Sequence, residues 1–248
     1  MSTESSPVNN RRYPSGNGAK GARLQGRLPP LLSAVAGMTD VIGYLSLGKL
    51  FTAHVTGNLV VIAALLVRGG PPNIAQILAV PVFIVAVGGV WLIARALGRR
   101  GAALSRPLLL TQFLLLTSVL MFSVIFDPAA DPHGLIAGIA AMIAVSAMAC
   151  QFSLLRLALP GSPSTAVMTG NLTNTVLSLL DTLSRNQPLT SGASERLKKA
   201  SEALIGFFGG CIAGAAAVSW LGAWSWSLPV ALAGIAVALG TAGAPSSR

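Results

Sequence analysis

Asp40 and His54 are the residues in this sequence that could carry a proton inside an apolar segment. Asp40 lies within the apolar stretch 28–48, and a carboxylate inside a membrane is unfavourable unless it is partnered or neutralised. Tyr44 follows four residues later on the same helical face, and His54 has an unperturbed pKa near neutrality. We therefore predict that Asp40, Tyr44 and His54 form a proton-coupling set. The alternative is a buried hydrogen bond that Asp40 accepts from Tyr44 or His54 and that holds a loop in place.

The tripeptide Thr-Gly-Asn occurs twice, each time just before a short apolar stretch. We call the two copies the first motif (Thr56, Gly57, Asn58) and the second motif (Thr169, Gly170, Asn171). At a helix start, Thr and Asn side chains can cap free backbone amides, and Gly allows close backbone approach. Two such starts that face each other would direct amide donors and positive helix-dipole ends at one central substrate site. The alternative is that these residues only pack helices together.

The composition places these residues in a membrane protein. The chain of 248 residues is 53% hydrophobic and 10% charged, whereas a soluble domain is about 25% charged. Lys and Arg outnumber Asp and Glu by 17 to 7, but the excess lies in a few clusters between apolar runs, which argues against nucleic-acid binding. We expect no metal, cofactor or disulfide, because Cys150 and Cys211 lack a second Cys or His at ligand spacing.

Six apolar segments have the length of about 17 to 25 residues that crosses a bilayer. They are residues 28–48, 74–97, 107–126, 134–155, 200–221 and 224–241. Two further segments, 59–67 and 172–183, would reach only about half of the hydrocarbon core as helices. We predict an all-α integral membrane protein with six transmembrane helices and two short re-entrant half-helices.

The two short segments belong to an internal repeat. Residues 51–58 align without gaps with residues 164–171, at a constant offset of 113. The same offset carries the first span onto the fourth, and approximately carries the second and third spans onto the fifth and sixth. The repeat units are 28–126 and 134–241, within a single membrane domain, 28–241. The residues that align with Asp40 and His54 are Ser153 and Val167, so proton chemistry is predicted in one unit only.

The distribution of Lys and Arg predicts the orientation of the spans. With six spans, the basic tail 1–27 and the basic linkers after the second and fourth spans all lie in the cytoplasm. The acidic linker between the third and fourth spans, which has no Lys or Arg, lies outside. Because three spans per unit is an odd number, the second unit is inverted relative to the first. The tail 1–27 is expected to be disordered, and residues 242–248 form a short C-terminal tail.

Other features indicate helix packing rather than chemistry. Gly206, Gly210 and Gly214 form a stripe of small residues on one helical face, which is typical of contacts between membrane helices. The residues expected in an aromatic belt at the outer interface are Trp220, Trp224 and Trp226. No phosphate-binding loop, nucleophile elbow or metal-binding His-Glu motif occurs in the sequence, so no catalytic residue and no enzymatic activity are predicted.

Two signatures in the chain resemble the YoaK-like family of bacterial integral membrane proteins. The first signature comprises residues 37–45, Gly48, Phe51 and residues 53–58. The second comprises Gln151, Arg156, Thr165 and residues 168–171. The resemblance covers residues 28–241 and implies a multi-span helical fold in the bacterial inner membrane, without an established activity. Phe152 stands where that family often has Asn, so the polar contact of that Asn is not expected.

These observations predict a small-solute permease or proton-linked secondary transporter. Its central substrate site comprises the two motifs together with Gln151 and Thr165, which the second signature contributes. The expected partners are the lipid bilayer, a small solute and protons. A passive channel is a second hypothesis, because opposed half-helices also suit a pore that excludes ions by their dipoles. A non-transporting scaffold or sensor that uses the basic tail is a third.

Overall fold

The structure, a computed structural model, describes residues 26–69, 73–99, 101–159, 162–165, 168–184 and 191–242. Within those ranges all regular secondary structure is helical, which confirms the predicted all-α class. Most of the predicted tails 1–27 and 242–248 lies outside the described residues, as does Val167, and the statements about them stay predictions.

Eight α-helices are numbered here in chain order within the described residues. They are α1 (Leu28–Ser46), α2 (Gly57–Arg68), α3 (Ile74–Ala96), α4 (Ala102–Phe126), α5 (Leu135–Leu157), α6 (Met168–Ser184), α7 (Ser191–Leu221) and α8 (Ser227–Ala242). A short 3-10 helix, Gly222–Trp226, joins α7 to α8. The two short segments predicted from the sequence correspond to α2 and α6.

Five apolar stretches are long enough to cross a membrane. They are residues 28–46, 74–96, 103–126, 135–157 and 194–240. The last has 47 residues, which as one helix would be about 70 Å long, more than twice the thickness of a hydrocarbon core. The 3-10 helix divides this stretch into α7 and α8. The chain is therefore a helical membrane protein, and its long apolar stretches contain six helices.

Helix α7 begins nine residues before the predicted span, because a charged turn extends it. Lys199 Nζ lies 2.8 Å from Glu195 Oε1, and Lys198 Nζ lies 3.9 Å from Glu202 Oε1. Pairs four residues apart stabilise a helix modestly. These pairs stabilise a helix start that lies earlier than hydropathy alone indicates.

A tight reversal after α1 returns the chain into the helix bundle. Gly48 and Lys49 adopt left-handed φ angles of 72° and 59°. A Cβ at Gly48 would overlap the Asn73 side chain and lie 2.6 Å from the carbonyl oxygen of Pro132, so this position requires glycine both for conformation and for space.

The segment that contains α2 leaves and returns at the same end of the bundle. Gln76, in the first turn of α3, donates from Nε2 to the carbonyl oxygens of Gly48 and Lys49 at 3.2 and 3.3 Å. The end of α1 therefore lies beside the start of α3. It follows that α2 does not connect the two ends of the bundle.

The segment that contains α6 behaves in the same way at the opposite end. Pro29 and Pro30, in the first turn of α1, line a cavity of about 260 Å³ together with Ala158, which follows α5, and Lys199 of α7. The end of α5 and the first half of α7 thus meet where α1 begins. The two short helices are inserted from opposite ends of the bundle.

Helices α1 and α7 run parallel with their backbones in direct contact. Cβ atoms added to Gly206, Gly210 and Gly214 would meet the backbones of Pro30, Ala34 and Met38, respectively. Because both sets of numbers rise together, the helices have the same direction. The prediction that the glycine stripe is a helix contact is confirmed.

Helices α3 and α5 also share a direction, but their contact is looser. Asn73, just before α3, donates from Nδ2 to the carbonyl oxygen of Pro132, just before α5, at 3.5 Å. A Cβ added to Gly138 in the first turn of α5 would lie 3.9 Å from the Cβ of Ala75, an ordinary contact. Side chains rather than bare backbones separate this pair.

The aromatic belt is only partly as predicted. Trp220 and Trp224 are exposed, which suits an interfacial position, whereas Trp226 is fully buried in the main core. The prediction is wrong for Trp226 because the 3-10 helix turns this side chain inward. Its indole N–H has no hydrogen-bond partner among the described residues.

Candidate functional site

Asp40 anchors the loop that precedes α2, here called the first loop. Its side chain is buried, six residues before the end of α1, which corresponds to a depth of about 9 Å. Oδ1 accepts hydrogen bonds from the backbone amides of Thr52 and Ala53 at 2.8 and 2.6 Å, and Oδ2 accepts from the amide of His54 at 3.2 Å. The Thr52 hydroxyl adds a longer contact of 3.4 Å. A buried carboxylate is tolerable here because polar donors surround it.

His54 is the side chain that pairs with this carboxylate. Its Nδ1 lies 2.6 Å from Oδ2 of Asp40, the short distance expected of a charge-assisted hydrogen bond. With Asp40 ionised, Nδ1 carries the hydrogen, so an incoming ligand or proton meets Nε2. The imidazole remains 28% exposed. The predicted proximity of Asp40 and His54 agrees with the structure, and so does the alternative that this contact holds the loop.

A groove of about 480 Å³ opens beside the Asp40–His54 pair. Its aromatic walls are Tyr44 and Phe51, whose ring centroids lie 5.3 Å apart, and Phe207 of α7, whose ring meets the His54 ring edge-on at 5.0 Å. Tyr44 therefore reaches the predicted site as a wall of the groove, and its described contact is with Phe51 rather than with Asp40.

The first motif closes the loop rather than capping the helix. Asn58 is buried, accepts a hydrogen bond from the amide of Phe51 at 2.9 Å and donates to the carbonyl oxygen of the same residue at 2.8 Å. Thr56 stands at the N-cap position without a side-chain cap bond and is exposed. The predicted side-chain capping is wrong, because the side-chain amide of Asn58 pairs with the backbone N–H and carbonyl oxygen of Phe51 instead of with the first amides of α2.

The first amides of α2 are already hydrogen-bonded. Gly57, Asn58 and Leu59 donate to the carbonyl oxygens three residues before them at 2.8, 3.1 and 3.2 Å. Gly57 also sits against the Phe51 ring, which an added Cβ would approach to 3.0 Å. The close approach predicted for this glycine is present, but these three amides are not free donors.

The second motif repeats the loop closure of the first. Asn171 is buried and donates from Nδ2 to the carbonyl oxygen of Ser164 at 2.8 Å, again across seven residues. In both motifs the Thr is exposed, the Gly is half-buried and the Asn is buried. The aligned residues of the two motifs thus have the same pattern of burial.

Gln151 holds the loop before α6, here called the second loop, through hydrogen bonds of its neutral side-chain amide. It is fully buried, and its Nε2 donates to the Thr165 hydroxyl at 3.2 Å and to the carbonyl oxygen of Leu32 at 2.9 Å. Its Oε1 accepts from Nε2 of Gln112 on α4 at 2.6 Å. Sequence reasoning missed Gln112, whose only signal is that it is an amide within an apolar span.

Phe152 makes the apolar contact that its type implies. Its ring packs against Phe83 of α3 with centroids 5.8 Å apart.

The two loops lie at different depths in the bundle. The first is bound to Asp40 and the second, through Gln151, to Leu32, and these residues of α1 are eight positions, or about 12 Å, apart. Phe207 links the two regions, because it also lines a second groove of about 570 Å³ with Met168 and Thr169. Sequence reasoning missed Phe207, although its place beside Gly206 in the stripe marks it as close to α1.

The helical bundle and its buried polar loops define a polytopic helical membrane protein. Within that class, the chain belongs to the family described as a protein of unknown function (DUF1275), whose profile matches residues 28–239. The membership predicted from the two signatures is confirmed.

A curated relative supports the same family. The chain is 54% identical over 41 residues to the UPF0700 transmembrane protein YoaK of Bacillus subtilis strain 168. The matched stretch covers 16% of this chain and 18% of that protein. No solved structure is significantly similar to the chain.

Proposed function

We propose that this protein is a proton-linked transporter of small solutes in the bacterial cytoplasmic membrane. The observation that carries the proposal is the buried Asp40–His54 pair, whose imidazole reaches an open groove between α1 and α7. Titratable residues inside membrane spans are rare because they are costly, and they commonly belong to ion or proton pathways. The pair can hold or release one proton at a place that a solute can also reach.

Six spans in an inverted repeat would support alternating access. The first helix of each unit packs parallel to the second helix of the other unit, α1 with α7 and α5 with α3. The two loops enter from opposite ends and close through the same Asn contact. Exchange of the two units by a two-fold axis in the membrane plane would relate these features, as in many transporters.

The charge distribution supports a cytoplasmic N-terminus. Basic residues gather at the end of the bundle where α1 begins, namely Arg27, Arg95, Arg99, Arg106, Arg156, Arg196, Lys198 and Lys199. The opposite end carries Asp127, Asp131 and His133, with Lys49 and Arg68. The positive-inside rule assigns the first end to the cytoplasm.

Solute binding is proposed along the two grooves, of which the second is lined by Thr169 and the first by Phe51, the residue that Gly57 and Asn58 contact. The exposed hydroxyls of Thr56 and Thr169 supply polar contacts, while Gly57, Gly170 and the buried Asn58 and Asn171 keep the loops in shape. Gln151 and Thr165 position the second loop from inside the bundle.

Purified protein in liposomes that contain a pH-sensitive dye tests this function. We expect that one or more members of a panel of amino acids, amines, sugars and carboxylates changes the internal pH on addition. His54→Gln should abolish the change, because Gln cannot exchange a proton with solvent. His133→Gln is the matched control, since His133 is the other histidine of the chain and is exposed in the linker before α5.

Two results would count against the assignment of proton linkage to the Asp40–His54 pair. Uptake that proceeds equally in wild type and His54→Gln, without any effect of a pH gradient, would favour the passive channel. Loss of uptake in both histidine variants would assign the effect to general damage rather than to the Asp40–His54 pair.

A further inference from the structure

The groove beside His54 has the walls of a site for a cation. Three aromatic rings, those of Tyr44, Phe51 and Phe207, border it, and Asp40 is the carboxylate that lines it. A cation gains energy over an aromatic face, most strongly where water is excluded. No Lys or Arg lines this groove among the described residues, so no fixed positive charge offsets the negative potential of Asp40.

The Asp40–His54 pair sets the charge of the groove. With His54 neutral, the pair carries one negative charge, held by backbone amides rather than by a basic side chain. With His54 protonated, the pair is neutral. The other titratable groups that face the pair are Tyr44 of α1 and Cys211 of α7. A cation and a proton therefore compete for the same pair.

We propose that the groove binds a lipophilic organic cation, such as a protonated amine or a quaternary ammonium ion, and exchanges it for the proton of the pair. This inference rests on the proposed transport function and specifies its substrate class. One cation binds when one proton leaves Nε2 of His54 for solvent, so the charge of the site is the same before and after exchange. A hydrophilic solute would find few hydrogen-bond partners, since the remaining walls are apolar.

The groove is accessible from the side of the bundle. Tyr44 and Leu45 at its rim are 38% and 52% exposed, so a lipophilic cation dissolved in the bilayer can enter without crossing the core. Beyond Phe207, the second groove continues along α7 past Leu204 and Phe208 to Thr169 of the second motif. Phe207 is thus the divider between the two grooves, and its backbone is fixed by the close contact with Gly37 of α1.

Equilibrium binding of tetraphenylphosphonium to the full chain in lipid nanodiscs tests the proposal. We expect saturable binding that weakens as the pH falls and that releases one proton in a weakly buffered solution. Tetraphenylborate, which has the same shape and the opposite charge, should not bind saturably at any pH at which the cation binds. Equal saturable binding of both ions would show that only apolar contact matters and would overturn the inference.

Variants of two adjacent phenylalanines locate the site. Phe207→Leu keeps an apolar side chain and removes the ring, and it should weaken cation binding about tenfold. Phe208→Leu is the matched control, because Phe208 lines the second groove and not the groove at His54, and it should leave the affinity unchanged. Equal affinities in the two variants would contradict the assignment of the cation to the groove at His54.

A third variant tests the exchange with the proton. His54→Gln should keep cation binding through Asp40 and the rings but lose the proton release. Asp40→Asn should lose cation binding. Because Asp40 also anchors the first loop, this variant can fail to fold, and the Phe207 and Phe208 variants then decide whether the cation binds in this groove. Proton release that persists in His54→Gln would contradict the competition at this pair.

The outcomes separate this inference from the proposed function. Cation binding with proton release but no flux in liposomes would support the site and refute transport. Proton-coupled flux of another solute class, with no binding of tetraphenylphosphonium, would support transport and refute the substrate class.

Discussion

The first and second loops of this protein have the same closure and different anchors. In both, an Asn side chain bonds the carbonyl oxygen of the residue seven positions earlier at 2.8 Å. The first loop is then tied to α1 by the carboxylate of Asp40, whereas the second is tied to α5 by the neutral amide of Gln151. Hydrogen bonds alone therefore suffice to hold a loop of this shape, whereas the carboxylate and the imidazole occur only at the first loop of the two.

The largest effect should come from removal of the charged anchor. Asp40→Ala leaves three backbone amides and the imidazole without their acceptor, and we expect a loss of about 3–5 kcal/mol, as when one partner of a buried ion pair is removed. Gln151→Ala should cost less, about 1–3 kcal/mol, because only neutral hydrogen bonds are lost. Thermal unfolding of the purified variants measures both.

Ser153→Ala is the control for that pair of variants. Ser153 aligns with Asp40 at the offset of 113, is buried and has a hydroxyl without a hydrogen-bond partner in the described part of the chain, so its removal should leave the melting temperature nearly unchanged. Equal losses for Asp40→Ala and Gln151→Ala would remove the distinction between a charged and a neutral anchor.

A second comparison concerns the two contacts between parallel long helices, α1 with α7 and α3 with α5. Gly210→Ala would drive a Cβ into the carbonyl oxygen of Ala34, and we expect a loss of about 1–3 kcal/mol from overpacking in the α1–α7 contact. Gly138→Ala in the α3–α5 contact meets Ala75 at an ordinary distance and should be tolerated. Melting temperatures of the two variants compare them, and similar losses would mean that the two contacts are equally tight.

Much of the architecture could be predicted from the sequence because apolar length and charge position determine it. The six long segments, the short helices α2 and α6 and the contact face of Gly206 and Gly210 all follow from local patterns. The apolar span predicted at residues 200–221 begins later than α7 itself, because hydropathy does not detect a charged helical turn stabilised by ion pairs.

The site was less accessible to sequence reasoning because its contacts are not local. The pairing of Asp40 with His54 could be expected from their types and burial. The three hydrogen bonds that Asp40 accepts from backbone amides, however, depend on how residues 50–55 fold back along α1. The same reason explains the wrong capping prediction for Thr56 and the missed Phe207. A side-chain amide such as that of Asn58 can hydrogen-bond either the first amides of a helix or the backbone of a preceding loop, and the sequence alone does not show which of the two it bonds.

The Asn contact that closes both loops predicts that its removal destabilises the protein equally in the two loops. Asn58→Ala and Asn171→Ala remove the same closure, and each should cost about 1–2 kcal/mol. Thermal unfolding of the two variants, measured in the same lipid, should therefore give similar shifts. A large shift for one variant and none for the other would mean that the repeated contact stabilises only one loop.

The smallest effect is expected from an ion pair that is exposed, in contrast to the pair at Asp40. A hydrogen bond from Lys199, together with its positive charge, lowers the pKa of Glu195 below the ordinary value of 4.5. Its contribution to stability is present above the pKa of the unfolded chain and is lost as the pH falls through the lower folded pKa. Because Glu195 is exposed, the effect on the melting temperature should be small, and Glu195→Gln should abolish that part of the acid dependence. An acid dependence that is unchanged in Glu195→Gln would assign it to other groups.

Infrared difference spectroscopy of the protein in lipid, titrated between about pH 5 and 8, tests most directly whether the first loop holds an exchangeable proton. We predict bands of one carboxylate and one imidazole that change together in the wild type and in His133→Gln and that disappear in His54→Gln. The absence of a coupled change in the wild type, or its survival in His54→Gln, would show that Asp40 and His54 only hold the loop, as Gln151 does in the second unit.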